Sequence, residues 1–544
     1  MALARSAARS RIQTKSDTTM ASTADAAARK SFSARALDWI ERTGNKLPDP
    51  VFIFVWLIGL LVGVSVVAAA LGASVVNPVS GETVQAKSLL SQENLRKLFV
   101  DMAKTMTGFA PLGYVLIVML GAGVAERTGL LATAMRSAMS KAPKAFLTPV
   151  VVFLAIISNH AADAAYVVLV PLAAIVFAAA GRHPIAGITA AFAGVSGGFS
   201  ANLTPGQLDT LILGITEPAA RLIDPSWVMN PAGNWWFIVA MTFLFTPIGW
   251  FVTDRIVEPR LGPWKPGADS PQIDPEKASS LSPEERKGLG WAGLASVAVI
   301  ALWVWMTVGP DAPLVDRGPD VKPGTELTPF YTSLVAGFFV LFLAAGTVYG
   351  IAVGTVKTHR DVVRMMTEAM AELGPYLVLA FVAAHFVAMF NWSNLGVILA
   401  VNGASALQAS GLPTFALIMG IVVLAASVNL FIGSASAKWG ALAPILVPMM
   451  MLIGVSPEMT TAAYRMGDSV TNIITPLMVY FPLVLTFCQK WNKDFGLGNL
   501  MALMIPYSLC FLIAGLILTG VWAAFAWPVG PAAPATYVLP TAAG

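Results

Sequence analysis

The chain has 544 residues, of which 56% are hydrophobic and only 12% charged, with a formal net charge of +4 and a mean hydropathy of +0.71. A soluble protein carries about 25% charged residues, so this composition excludes a water-soluble domain and requires an all-α polytopic membrane protein. The small net charge calls for no nucleic-acid partner, and the two cysteines, Cys488 and Cys510, lie in apolar runs that imply packing against core or lipid.

Residues 1–46 form a polar tail in which basic side chains outnumber acids, expected to be a disordered cytoplasmic segment. No apolar run follows it directly, so a secretory signal is not expected. Residues 47–108 comprise a first span, from Pro50 to about Val76, and a mixed amphipathic stretch. Twenty apolar residues suffice to cross a bilayer. A second span follows at about 109–124, and Arg127, Arg136, Lys141 and Lys144 behind it mark the cytoplasm. Residues 143–181 hold two apolar arms around Ser158-Asn159-His160, each too short to span, which predicts a re-entrant hairpin with a polar tip. A broken span at 183–205, an interfacial stretch at 206–230 and a clean span at 235–252 complete a first unit, 109–252.

Residues 253–370 hold a basic inner loop and two spans, at about 289–308 and 329–356, joined by an acidic outer loop. A second unit, 371–523, has a span at 371–390, a hairpin at about 412–454, a broken span at 458–488 and a last span at 499–523. Residues 524–544 form an uncharged outer tail. The reading is about nine transmembrane helices plus two re-entrant hairpins, with the N-terminus cytoplasmic and the C-terminus outside.

The two units echo each other. Asp163, Tyr166, Pro171, Pro184, Gly194, Ser196, Asn202, Thr204 and Pro205 align in order with Ser436, Trp439, Pro444, Pro457, Gly467, Ser469, Asn472, Thr475 and Pro476. The spacing is constant to Ser196/Ser469 and then drifts. The positive-inside pattern gives the copies opposite orientation. Inverted repeats with interrupted helices point to a secondary transporter with its site near the bilayer midplane.

Charge within the membrane marks a functional site by default, and Lys438, Arg465 and Asp468 lie in the second copy's broken region. Arg465 and Asp468 are three apart on one helix face. They are either a planar fork for an anionic substrate beside a cation or proton carrier, or a static ion pair. Ser436 and Trp439 share a face; Trp439 either stacks on an aromatic substrate or anchors at the interface. Lys438 faces elsewhere and is expected to snorkel to water. Asn159, Asp163, Asn202, Asn429, Asn472 and Thr475 offer oxygens beside unwound backbone, either for Na⁺ or as helix caps. Asp209 is either a protonatable group on the exit path or an interfacial acid. His160, beside the first hairpin tip, is the histidine worth testing. No nucleophile elbow, phosphate-binding glycine loop or metal-spacing motif is present, which argues against an intramembrane enzyme.

At S-A-S-A-K-W-G-A-L-A-P-I-L-V-P (434–448) and Y-R-M-G-D-S-V-T-N-I-I-T-P (464–476) the sequence resembles the p-aminobenzoyl-glutamate transporter (AbgT) family, and the resemblance covers the chain beyond its N-terminal tail. It implies a homodimer with nine spans and two hairpins per subunit in the bacterial inner membrane. It also implies ion-gradient-driven transport, without a cofactor, of p-aminobenzoyl-glutamate or of sulfonamide antimetabolites. The family's site residues map onto Asp209, Ser436, Trp439, Pro457, Arg465, Asp468 and Pro476. Proton coupling would fall on Asp468 and Asp209, Na⁺ coupling on the asparagine-rich tips. The alternatives are a dicarboxylate or short fatty-acid transporter of related fold, and a channel.

Overall fold

The computed structural model describes residues 50–78, 81–140, 143, 146–161, 165–264, 280–318, 321, 326–475, 478 and 480–539. Asp163 and Pro476 lie outside the described residues, as does the tail 1–46. The described part is helical apart from one small antiparallel pair, Ser74–Val76 with Thr83–Gln85.

The first span, α1 (Pro50–Ala70), packs Phe54 against Phe386 and Phe390. The first unit then runs α2 (Ala110–Arg127), α3 (Leu130–Ser140), α4 (Leu147–Ile157), α5 (Val170–Ala179), α6 (Pro184–Phe192), α7 (Gln207–Ala220) and α8 (Trp235–Val252). Two scaffold helices, α9 (Pro283–Trp305) and α10 (Leu334–Val353), pack on α2 and α3, with Tyr349 Oη donating to Thr133 at 2.7 Å. The second unit repeats the order: α11 (Gly374–Trp392), α12 (Leu395–Ala409), α13 (Thr414–Asn429), α14 (Ala435–Leu452), α15 (Pro457–Val470), α16 (Phe481–Gln489) and α17 (Leu497–Ala524).

Seven described helices are long and apolar enough to span, or nine if the bent pairs α2–α3 (61°) and α12–α13 (119°) each count as one. The count of nine agrees with the sequence reading, but its membership differs. By length alone α14 qualifies, whereas the halves of the broken spans do not. Helix α12 is an addition. Residues 391–411 mix small and polar side chains with apolar ones, which hid a helix that proves to be the counterpart of α3.

Local chemistry starts the broken helices alike. His183 Nδ1 accepts from the Ile185 amide ahead of Pro184, and Ser456 Oγ accepts from the Met459 amide ahead of Pro457. A cap followed by proline at the first helical position is favourable because proline lacks only an amide that would be unpaired anyway. Packing is alike too. A Cβ on Gly194 would collide with Ala155 and come within 2.7 Å of the Val152 carbonyl on α4. A Cβ on Gly467 would collide with the Val422 carbonyl and come within 2.8 Å of Ala425 on α13. Each broken helix thus lies against the first arm of its own hairpin at a distance that only glycine permits.

The stretch 206–230 departs from expectation. It holds α7, whose residues Asp209, Thr210, Ile212, Leu213, Thr216 and Ala219 are buried against α2 and α14, so it is interior and not interfacial. Its apolar residues recur at helical spacing, and this stripe outweighs the scattered charges.

Candidate functional site

The interrupted ends of the two copies meet. After Gly197 the first copy loses helical form, and the Ser200 amide donates to Ser469 Oγ at 3.0 Å. Asn472 Nδ2 donates to the Ser196 carbonyl at 3.3 Å. Tyr166 and Tyr480 stack with ring centroids 4.2 Å apart. Unwound backbone is tolerated at bilayer depth where it lines a cavity or is buried in protein. Here a cavity of about 350 Å³ opens beside the crossing. That volume suits a small organic ligand.

Asn159, His160, Asn202, Asp209 and Arg465 line this cavity, with Tyr166, Tyr376 and Tyr480 supplying aromatic wall. Arg465 Nη1 donates to Asp209 Oδ1 at 2.6 Å, both groups being buried. Arg465 Nη2 donates to the Ser200 carbonyl at 3.3 Å, and Nε has no partner among the described residues. The other carboxylate oxygen of Asp209 accepts the Gly206 amide at 2.7 Å, closing the first turn of α7. An acid in the first helical turn is favoured there by the exposed amides. His160 Nε2 lies 2.9 Å from Thr204 Oγ1.

A second ionic cluster lies behind the wall. Lys438 is 1% exposed and its Nζ is 2.5 Å from Asp468 Oδ1, with Asn429 Oδ1 as its other partner. Lys438 therefore does not snorkel: α14 is a hairpin arm inside protein, and the Asp468 carboxylate, about three turns into the neighbouring helix, gives the ammonium a partner nearer than water. Asp468 also accepts from Tyr464 Oη at 3.2 Å. Asn429 Nδ2 reaches the Asp468 carbonyl at 2.7 Å and Asn472 Oδ1 at 2.8 Å. The two sequence-adjacent charges, Arg465 and Asp468, are thus not each other's partners. Each is paired with a residue on another helix, Asp468 with one on the preceding helix and Arg465 with one in the other copy.

Trp439 is fully buried and stacks on Tyr464, centroids 4.3 Å apart, with Nε1 donating to Thr216 Oγ1 at 2.8 Å. It is neither an interfacial anchor nor on the cavity wall in this conformation. Ser436 lines a separate narrow space with Phe54, and Tyr376 borders both. Pro457 is buried at the start of α15. The candidate cation ligands make hydrogen bonds within the protein: Asn202 Oδ1 accepts the Leu203 amide at 2.8 Å, while Thr475 Oγ1 donates to the Leu430 carbonyl at 3.1 Å. Asn159 Nδ2 donates to the Gly198 carbonyl at 3.3 Å. The sequence reading did not single out Tyr166, Tyr376 and Tyr480 for the cavity wall. Tyr166 was legible as the repeat partner of Trp439, and Tyr376, closing L-G-P-Y, as that of Tyr114, closing P-L-G-Y; nothing local marks Tyr480.

Crossed broken helices, paired hairpins and a buried ionic cavity define a multi-pass membrane transporter. The AbgT transporter family model matches residues 35–537. The p-aminobenzoyl-glutamate transport protein of Escherichia coli (strain K12) is 37% identical over 501 residues, 92% of this chain and 97% of that protein. Two solved structures are similar. The YdaH transporter of Alcanivorax borkumensis has a TM-score of 0.81 and 44% identity, covering 89% of this chain and all of that one. MtrF of Neisseria gonorrhoeae, described as illuminating a class of antimetabolite efflux pumps, has a TM-score of 0.85 and 45% identity, covering 92% of this chain and all of that one. The chain belongs to the AbgT family and is a transport protein, not an enzyme.

Proposed function

We propose that this chain is a proton-gradient-driven secondary transporter of p-aminobenzoyl-glutamate and related folate-pathway aromatics, sulfonamide antimetabolites among them. The observation that carries the reading is the Arg465–Asp209 pair on the wall of an aromatic-lined cavity. A guanidinium is the natural partner of a glutamyl carboxylate, and the tyrosine faces suit a benzoyl ring. When Asp209 takes a proton, Arg465 loses its counter-charge and is released to a substrate carboxylate. Departure of that carboxylate restores the pair and expels the proton. Proton uptake at Asp209 and substrate binding at Arg465 then favour each other, which is the linkage that coupling requires.

Asp468, paired with Lys438, is the second candidate carrier. Protons are favoured over Na⁺ because the amide oxygens of Asn202, Asn429 and Asn472 already accept hydrogen bonds or ammonium. In this reading two oppositely oriented copies rock about the crossing, in a homodimer embedded in inner-membrane lipid, with the N-terminus cytoplasmic and the C-terminus periplasmic. The test is substrate flux in proteoliposomes under separately imposed H⁺ and Na⁺ gradients. Flux that follows only the Na⁺ gradient replaces the proton reading; flux indifferent to both removes coupling altogether. A dicarboxylate would also engage Arg465 but leaves the aromatic wall unused, so succinate should compete poorly with p-aminobenzoyl-glutamate for binding.

A further inference from the structure

Glu458 plays no part in the mechanism above, yet it is the most isolated acid in the described interior. It is 2% exposed, its Oε1 accepts from Trp227 Nε1 at 3.3 Å, Ser456 and its own backbone amide stand close to the carboxylate, and its Oε2 has no hydrogen-bond partner among the described residues. It lies in the first turn of α15, the helix that carries Arg465 and Asp468. Glu458, Thr461, Arg465 and Asp468 fall on one face of that helix, and the seven residues from Glu458 to Arg465 make two turns, about 10 Å.

Asn234 bridges the backbone at Glu458 and the Arg465 guanidinium. Its Nδ2 donates to the Glu458 carbonyl at 2.9 Å and its Oδ1 lies 3.5 Å from Arg465 Nη1. A small cleft lined by Asp209, Asn234, Thr461 and Arg465 lies at the Arg465 end of this face. Above Glu458 the C-terminal segment closes the surface. The Ser456 amide donates to the Ala535 carbonyl at 3.1 Å, the Tyr537 amide to the Gly454 carbonyl at 2.9 Å, and Asn230 Nδ2 to the Pro531 carbonyl at 3.1 Å. The other ionisable groups on the surrounding elements are accounted for. Glu217 on α7 is held by Arg221 and the Met229 amide, and Asp224 accepts from Tyr537 Oη.

We propose that Glu458 is a second proton carrier of the transport cycle, standing at the end of the α15 polar face opposite Asp468. A buried carboxylate with a bare oxygen and no cation takes a proton instead of bearing charge. It holds the proton on Oε2 while the 528–537 segment lies over it. It returns the proton to water when that segment separates from the start of α15. The inference rests on the proton-coupled reading of the Arg465 site.

The experiment uses full-length protein in proteoliposomes with radiolabelled p-aminobenzoyl-glutamate, comparing exchange at equal pH with accumulation driven by a pH gradient. Glu458→Gln is expected to retain exchange and lose gradient-driven accumulation. Retention of both, or loss of both, overturns the role of Glu458. Wild-type accumulation indifferent to the pH gradient removes the underlying proton reading instead, so the two failures are told apart. Should Glu458→Gln not fold, Trp227→Phe serves. It removes a donor to the charged form, so the pH profile of accumulation moves to higher pH; an unmoved profile overturns the proposal.

Discussion

Arg465 donates to Asp209 across 2.6 Å, although 256 residues separate them, and so ties the broken helix of one repeat to the helix that follows the break in the other. The lock between the two halves is also the cationic group facing the cavity. A ligand that competes for the guanidinium therefore acts on the contact between the repeats as well as on a binding group.

Breaking this pair one residue at a time should be costly. Removing one partner of a buried ion pair leaves an uncompensated charge, worth about 3–5 kcal/mol. Arg465→Ala and Asp209→Ala should each lower thermal stability in detergent, and the double variant should lose much less than their sum. Strict additivity would show that the two groups do not sense each other. In binding assays Arg465→Ala should cost the diacid p-aminobenzoyl-glutamate far more than a neutral sulfonamide; equal losses would leave Arg465 a purely structural role.

Lys438 holds the place among Asp468 and Asn429 oxygens that a free cation would take. Lys438→Met leaves Asp468 buried without its counter-ion. Binding of p-aminobenzoyl-glutamate by this variant should depend on Na⁺ more steeply than binding by the parent. Titrations at several Na⁺ concentrations check this, and the same Na⁺ dependence in variant and parent would count against it.

The matched glycines make a stability test of the repeat. Gly194→Ala and Gly467→Ala each force a methyl into backbone or side chain of the adjacent hairpin arm. Overpacking of this kind costs about 1–3 kcal/mol. Gly420→Ala on α13 meets nothing within 4 Å and should be neutral or slightly stabilising. Equal melting temperatures for all three would mean that the close approaches are not maintained.

Trp439 should behave as a core residue in this conformation. Trp439→Ala should cost about 3–5 kcal/mol. Trp439→Phe keeps the stack on Tyr464 but loses the bond to Thr216, about 1 kcal/mol. Unchanged stability together with a large loss of p-aminobenzoyl-glutamate affinity would instead place the indole against the ligand in another state of the cycle.

The sequence by itself determined the lipid-embedded class, the hairpins and the two breaks, and it marked Arg465 and Asp468 as charges in the interior, whereas Lys438 was expected to snorkel and Asp209 was left open. Each of these is local: apolar run length, proline and glycine spacing, and charges that hydrocarbon does not tolerate unpaired. The repeat was readable for the same reason, since Pro184/Pro457 and Gly194/Gly467 mark backbone requirements that other residues do not meet. Only the tertiary structure decided the partners. Arg465 and Asp468 share a helix face, which made a mutual pair attractive, but α7 brings Asp209 to one and α14 brings Lys438 to the other. Helix crossing also sent Trp439 inward onto Tyr464 and put Tyr166, Tyr376 and Tyr480 around the cavity. Pairing between separate helices depends on how whole helices pack, and helical periodicity along one segment carries no information about which segment will face it.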